Sequence, residues 1–162
     1  MKLKTLIVLV LLIQSSLIMG QSLNSESSEE DRSSALAGFA IDSQITMFYY
    51  TDIGPATKFY GDIIGLEKTL DWSWVIFFQT GPSSFIGLVK EGEGAFHRVQ
   101  PHNAVMLSLV TNDLDLWYAR LKGKDDVTFL KPLGNSGPIR SFMVEDPGGY
   151  TVEFFQWLPS PE

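Results

Sequence analysis

The feature that most constrains the fold of this chain is a block of sequence that occurs twice. Each copy reads as a strand, a polar capping residue (Asp52 in the first copy, Asn112 or Asp113 in the second), a helix with an aromatic pair (Phe59-Tyr60 or Trp117-Tyr118) and several short strands. A doubled unit of this kind builds two curved sheets. We therefore predict an α+β fold in which two βαβββ modules form a cup of curved mixed sheets. A cup of this kind favours the binding of a small molecule.

The two helices are predicted from apolar residues that recur at the spacing of one helix face. These residues are Ala56, Phe59, Tyr60, Ile63 and Ile64 in the first helix, and Leu114, Trp117, Tyr118 and Leu121 in the second. Asp52 and Gly65 are typical of the start and the end of a helix. Turn signals and alternation predict the strands at 45–51, 66–70, 74–79, 84–90, 104–111, 127–131, 139–145 and 150–157.

Alternation along the strands also predicts which side chains line the cup, since successive residues of a strand point to opposite faces. One set in each strand is assigned to the helices, which need apolar partners. The opposite set then faces the cup and includes Met47, Tyr49, Phe85, Glu153 and Phe155.

The amino-terminal segment has the features of a secretory signal peptide. Lys2 and Lys4 precede an apolar run at Leu6–Leu12, and small residues follow at Gly20 and Ser22. The unbroken apolar run is too short to cross about 30 Å of hydrocarbon, so we predict cleavage after Gly20 or Ser22. The expected protein is exported, periplasmic or secreted, without stable membrane insertion after processing.

Composition divides the rest of the chain. Residues 1–22 are the predicted signal peptide, and the Ser- and Glu-rich residues 23–42 are a predicted linker. The folded domain is expected at 43–158, with its modules at about 44–92 and 103–158.

Charge and cysteine content exclude several classes of function. The chain has 12 basic and 19 acidic residues, for a formal net charge of −7, which disfavours the binding of nucleic acid. It has no cysteine, which excludes disulfides, thiolate metal ligands and a cysteine nucleophile. A cationic ligand is favoured weakly.

Two motifs resemble the vicinal oxygen chelate superfamily, which includes glyoxalase I, extradiol dioxygenases and bleomycin-resistance proteins. Asp52-Ile53, Phe59-Tyr60 and Ile64-Gly65-Leu66-Glu67 resemble its opening motif, and Asp146-Pro147-Gly148-Gly149-Tyr150-Thr151-Val152-Glu153 resembles its closing strand. The resemblance covers residues 45–157. It implies the paired-module fold, but it does not decide the function, because the superfamily spans many chemistries.

The resemblance also implies where a metal site would be. Metal-dependent members place His, Gln or Glu at four inward positions, which correspond here to Ile45, a position at about Gly87, Met106 or Ala104, and Glu153. Only Glu153 supplies a donor of the required kind, whereas such metals need at least three protein ligands. No cofactor is therefore predicted. A divalent metal on Glu153 with His97 or His102 is the alternative.

Glu153 is the predicted catalytic or anchoring residue. As a carboxylate in the cup it serves as a general base or as an anchor for a ligand's cation or hydroxyl; the structural alternative is a carboxylate satisfied by its neighbours. His97 lies in the connection between the modules, which is either a lid over the cup or a surface loop. Trp74 and Met106 are further predicted ligand contacts.

Three functions remain open from the sequence. The leading one is an exported protein that binds a small, largely apolar ligand in an aromatic cup, with metal-independent proton transfer through Glu153 as its chemistry if it is an enzyme. The second is a metal-dependent lyase or dioxygenase with an unusual ligand set. The third is sequestration of a cationic aromatic compound without turnover. A homodimer is also left open.

Overall fold

The computed structural model describes residues 41–92 and 95–159. Within these residues, eight strands and two helices follow one another in two similar series. The first series is β1 (Gln44–Tyr50), α1 (Ile53–Lys58), β2 (Lys68–Asp71), β3 (Val75–Gly81) and β4 (Ser84–Lys90). The second series is β5 (Met106–Val110), α2 (Leu114–Leu121), β6 (Thr128–Ser136), β7 (Ile139–Glu145) and β8 (Thr151–Trp157).

Each series forms its own four-stranded mixed sheet. The strand orders are β1-β4-β3-β2 and β5-β8-β7-β6, so the first and last strands of each module lie side by side. These two strands run parallel in both modules, and the remaining neighbours are antiparallel. The predicted α+β class with two βαβββ modules is confirmed.

The first helix differs from the prediction in its second half. Asp52 caps the helix by accepting a hydrogen bond from the Gly54 amide, as predicted. From Phe59 to Ile64, however, the helix widens into a π-helix, which ends at Gly65 with a φ of 90°. The apolar spacing did not reveal this change, because the same side chains are buried in either form.

One hydrophobic core joins the helix-bearing faces of the two sheets. Phe48 from β1 stacks on Tyr150, with ring centroids 4.0 Å apart, and Phe142 stacks on Phe154 at 5.0 Å. These side chains are buried together with the apolar faces of both helices. The faces predicted to pack on the helices are therefore the observed core faces.

A polar network crosses the joint between the modules. Asp146 accepts hydrogen bonds from the hydroxyls of Tyr50 and Tyr60, at 2.5 and 3.0 Å. Its other oxygen accepts from the amides of Gly148 and Tyr150. Burial raises the pKa values of both Tyr50 and Tyr60, and the nearby Asp146 carboxylate raises them further. The network pins the closing turn of the second module to the first module.

Tyr150 closes part of the free edge of β1. Its Oη accepts a hydrogen bond from the Tyr49 amide at 3.0 Å and donates to the Tyr49 carbonyl at 3.2 Å. A side-chain hydroxyl thus satisfies both backbone groups at a position where a neighbouring strand would otherwise pair.

Strand β6 is longer than predicted and irregular. It continues to Ser136, through Pro132 and Gly134, whereas the prediction ended at residue 131. Its pairing with β7 shifts register at two points. Pro132 is tolerated because β6 is the edge strand of its sheet.

The predicted signal peptide and all but the last two residues of the predicted linker lie outside the described residues. Within 41–92 and 95–159, no helix has the length and apolarity needed to cross a membrane.

Candidate functional site

The faces of the two sheets that point away from the helices carry most of the predicted site residues. We call them the first open face, formed by β1, β3 and β4, and the second open face, formed by β5 to β8. On the first, Met47 pairs with Gly87, which in turn pairs with Phe77, and Ile45 pairs with Phe85. A side chain on Gly87 would collide with Met47, so the glycine allows Met47 to lie flat across this face.

A surface cleft of about 420 Å³ lies beside the first open face. His97 approaches the Tyr49 ring edge-on, with centroids 5.3 Å apart. The cleft is lined by Met47, Tyr49, His97, Arg98, Gln100, His102, Asn103, Ala104, Val105 and Tyr150.

Glu91 fixes one end of the connection that lines this cleft. Its carboxylate accepts hydrogen bonds from the Val99 amide at 3.0 Å and from the Thr51 hydroxyl at 2.9 Å. The bond from Val99 holds the pKa of Glu91 below its usual range. Arg98 binds back to the Gly92 carbonyl at 2.6 Å. These contacts place His97 at the cleft with its neighbouring backbone held in place.

The second open face carries Glu153. In the sheet Glu153 pairs with Ser108 on one side and Met143 on the other. The residue is only 6% exposed, although Val152 and Phe154, its neighbours along the strand, point into the core. Glu153 is therefore buried on the face that has no helix, as alternation predicted.

One oxygen of the Glu153 carboxylate is occupied and the other remains accessible. Ser108 Oγ donates to Oε2 at 2.9 Å. Within the described residues Oε1 has no hydrogen-bond partner, yet no fully buried polar side-chain atom there lacks one. Oε1 is therefore not a fully buried, unpaired atom. This arrangement orients the carboxylate and leaves one oxygen available to a ligand.

Besides Ser108, sequence reasoning missed two further polar residues on the second open face. Lys131 Nζ donates to Ser141 Oγ at 2.9 Å, and Ser141 pairs with Phe155, which shares the face of Glu153. Alternation from Phe129 would place Lys131 in the core. A register shift between Phe129 and Lys131 turns Lys131 to the other face. The sequence of β6 contains no pattern that would predict this shift.

The side chains present do not fit the metal site that the resemblance implies. Ile45, Gly87 and Met106 offer no oxygen or nitrogen side-chain donors, and Glu153 is paired with a serine hydroxyl. His97 and His102 line the cleft, whereas Glu153 does not. Among the residues described, no three His, Asp or Glu side chains are grouped as ligands of one ion.

The structure therefore distributes the predicted site residues over four places. Met47, Tyr49 and His97 meet in the cleft. Phe85 lies on the first open face, while Met106, Glu153 and Phe155 lie on the second. Trp74 stands in the exposed turn between β2 and β3, beside Trp72, with ring centroids 6.5 Å apart.

A comparison with protein families decides the classification of this fold. The model of the glyoxalase/bleomycin resistance protein/dioxygenase superfamily matches residues 44–154. The chain belongs to this superfamily. The match begins at the first residue of β1 and ends inside β8, so it covers both modules of the superfamily fold. No curated protein matches the chain significantly.

Solved structures with the superfamily fold resemble this chain at low sequence identity. TnmS3, an antibiotic binding protein from Streptomyces sp. CB03234, is 22% identical with a TM-score of 0.61, over 74% of this chain and 98% of that one. A glyoxalase/bleomycin resistance protein/dioxygenase from Nocardioides is 19% identical with a TM-score of 0.61, covering 76% and 87%. TioX from Micromonospora sp. ML1 is 18% identical with a TM-score of 0.58, covering 73% and 98%. At these identities the likeness concerns the fold.

Proposed function

We propose that this protein binds a small, largely apolar organic molecule on the second open face, with the Glu153 carboxylate as its polar anchor. The observation that carries the proposal is the environment of Glu153, which is nearly buried between Ser108 and Met143 and has one oxygen without a hydrogen-bond partner among the described residues. Burying a carboxylate is costly unless it is paired. A ligand that donates to Oε1 would complete the pairing.

The surroundings of Glu153 suit an aromatic ligand. Phe155 and Trp157 contact each other edge-on on the same face, with centroids 5.2 Å apart, and Met106 adds a polarizable side chain at its margin. The net charge of −7 attracts cations. One structural neighbour, TnmS3, is described as an antibiotic binding protein, which supports binding of an organic compound without identifying it.

The proposal is tested by titrating the purified protein with proflavine, a planar cationic aromatic dye, and following the dye's fluorescence. Glu153→Gln should weaken binding by about tenfold or more, because a hydrogen bond to a charged group is lost in a poorly solvated place. The matched control is Glu67→Gln, which removes the same charge from an exposed position in the first module.

The control separates a site from general attraction to an acidic protein. Glu67→Gln should bind the dye as the wild type does. Equal losses in both variants, or no loss in Glu153→Gln, would show that the second open face is not the binding site.

A second candidate function is proton transfer by Glu153 without a metal. The Ser108 hydroxyl orients the carboxylate and leaves Oε1 accessible, which is the arrangement a general base needs. Turnover of a bound compound that is abolished in Glu153→Gln, with binding retained, would favour this candidate. Binding without turnover would favour the first.

We also propose that the protein forms a homodimer whose interface includes exposed apolar side chains of the second open face. Several large apolar side chains on the second open face are exposed, including Met106 at 44%, Val110 at 61% and Trp157 at 63%. Exposed apolar surface of this kind marks interaction sites. Sedimentation equilibrium should give twice the mass of the chain, and Val110→Lys should shift it to the monomer. A monomeric wild type at high micromolar concentration would contradict this proposal.

Export is the remaining proposal. It rests on the lysines and apolar run of residues 1–22. Amino-terminal sequencing of the native protein should find a start just after Gly20 or Ser22, and a protein that begins at Met1 would contradict it.

A further inference from the structure

A second charged side chain reaches the open face that carries Glu153. The strand register places Ser108, Glu153, Met143 and Lys131 in one row across the sheet, one from each of its four strands. Side chains that are directly paired between neighbouring strands lie on the same face. Lys131 and Glu153 therefore lie on the second open face with Met143 between them.

Ser141 determines where the lysine amine lies. Lys131 Nζ donates to the buried Ser141 hydroxyl, and Ser141 is the diagonal neighbour of Glu153 across the β7–β8 pair. Diagonal neighbours in an antiparallel pair are about 7–8 Å apart. None of the described ion pairs joins Lys131 to Glu153. The face thus holds an ammonium and a carboxylate apart instead of letting them neutralise each other.

Both groups keep capacity for a further partner. An ammonium has three donors, and one of those of Lys131 is used by Ser141. The carboxylate of Glu153 has Oε1 accessible. A purely cationic ligand would bring its charge toward Lys131, and a purely anionic ligand would bring its charge toward Glu153. Like charges in a partly desolvated place repel each other, so neither ligand satisfies the whole face.

We propose that the second open face selects a small zwitterionic molecule with an apolar or aromatic body. Its cationic group binds Glu153, its carboxylate or other anionic group binds Lys131, and its body lies over Met143 and against Phe155. This inference rests on the proposed function, because it names the ligand class of the same face.

The test uses three small probes that share a benzene ring. They are 4-(aminomethyl)benzoic acid, which carries both charges at opposite ends of the ring, benzylamine and 4-methylbenzoic acid. Each is titrated into the ¹⁵N-labelled protein while the amide signals of Ser108, Met143, Glu153 and Phe155 are followed. The zwitterion should bind about fivefold or more tightly than either singly charged probe, since it alone satisfies both charges.

Two variants identify the ends of the ligand. Glu153→Gln should weaken the zwitterion and benzylamine and leave 4-methylbenzoate unchanged or improved. Lys131→Met, which keeps the aliphatic stem, should weaken the zwitterion and 4-methylbenzoate and leave benzylamine unchanged or improved. Glu67→Gln should alter none of the three.

The outcomes separate this inference from the function on which it rests. If benzylamine binds as tightly as the zwitterion, and Lys131→Met changes neither, the face binds a ligand but the inference is wrong. If none of the three probes nor proflavine shifts these amide signals, the inference and the proposed function both fail.

Discussion

At the scale of single residues, neighbouring residues of strand β8 have different roles, because one faces the core and the next faces the open side of the sheet. Val152 is fully buried in the core, whereas Glu153 lies on the open face with Ser108 as its hydrogen-bond partner. A buried carboxylate with a single neutral partner contributes little net stability, because its desolvation opposes its hydrogen bond. Glu153 is therefore expected to matter more to a ligand than to folding.

We predict that Glu153→Gln leaves the free energy of unfolding unchanged or raises it slightly, since the amide still accepts from Ser108 and no charge is desolvated. Val152→Ala should lower it by about 1–3 kcal/mol through lost packing. Urea denaturation of the two variants measures both values. If Glu153→Gln unfolds the domain while Val152→Ala does not, the assignment of the two faces is wrong.

Alternation in β8 was sufficient to place Glu153 and Phe155 correctly relative to Val152, because that strand pairs regularly on both sides. The same rule fails for Lys131, where a register shift reverses the faces. Ser108 lies on the same face as Met106, because the two are alternate residues of β5. Nothing in the sequence of β5, however, shows that this serine donates to Glu153. What escaped prediction was the set of contacts between strands that are distant in sequence.

At the scale of elements, the turn between β7 and β8 sets the register of the closing strand. Gly149 has a φ of 76°, and its amide donates to the Asp146 carbonyl at 3.0 Å. Gly148 lacks a positive φ, but a Cβ there would lie 2.5 Å from the Tyr50 ring, which Asp146 holds in place. The two glycines are thus required for different reasons, one conformational and one steric.

We predict that Gly149→Ala lowers the free energy of unfolding by about 1–2 kcal/mol, the cost of a left-handed backbone for a residue with a Cβ. Gly148→Ala should cost about 1–3 kcal/mol through overpacking. Gly134→Ala is the matched control, because no atom lies within 4 Å of its added carbon and its φ is not positive. If thermal melting shows that Gly134→Ala lowers the melting temperature as much as Gly148→Ala and Gly149→Ala do, both the steric and the conformational explanation are wrong.

Asp146-Pro147-Gly148-Gly149 is a strong turn signal, and a turn of this composition favours a glycine at positive φ. The sequence did not show that Gly148 lies against Tyr50, because that contact spans the two modules. The π-helical turn was missed for a similar reason, since apolar periodicity reports which side is buried and not the hydrogen-bond spacing beneath it.

At the scale of the whole molecule, the modules are joined by a titratable network. Tyr50 and Tyr60 donate to the same oxygen of Asp146, and burial raises the pKa values of both tyrosines above the ordinary value of 10.0. A tyrosine whose pKa is higher in the folded than in the unfolded state contributes to the free energy of unfolding, and this contribution is complete at any pH below the unfolded-state pKa. It is lost as the pH rises from there toward the folded pKa.

We predict that the free energy of unfolding falls as the pH is raised above about 10, by about 1.4 kcal/mol per pH unit for each tyrosine that stays protonated in the folded state. Tyr60→Phe removes one such group, so its alkaline decline should be shallower by that amount. At neutral pH the variant should lose only the roughly 1 kcal/mol of its hydrogen bond. Urea denaturation at several alkaline pH values measures the slope, and equal slopes for both proteins would contradict the role of Tyr60.

The hydroxyl of Tyr150 has a consequence that extends beyond the single molecule. An edge strand with unpaired backbone groups is a template on which other chains can add strands and aggregate. Because the Tyr150 hydroxyl binds both the amide and the carbonyl of Tyr49, these two groups of the edge strand β1 cannot pair with a strand from another chain. The contact between the two modules thereby also protects β1 from fibril-like association with other chains. If the modules separated, the backbone groups of Tyr49 would become unpaired and available to another strand.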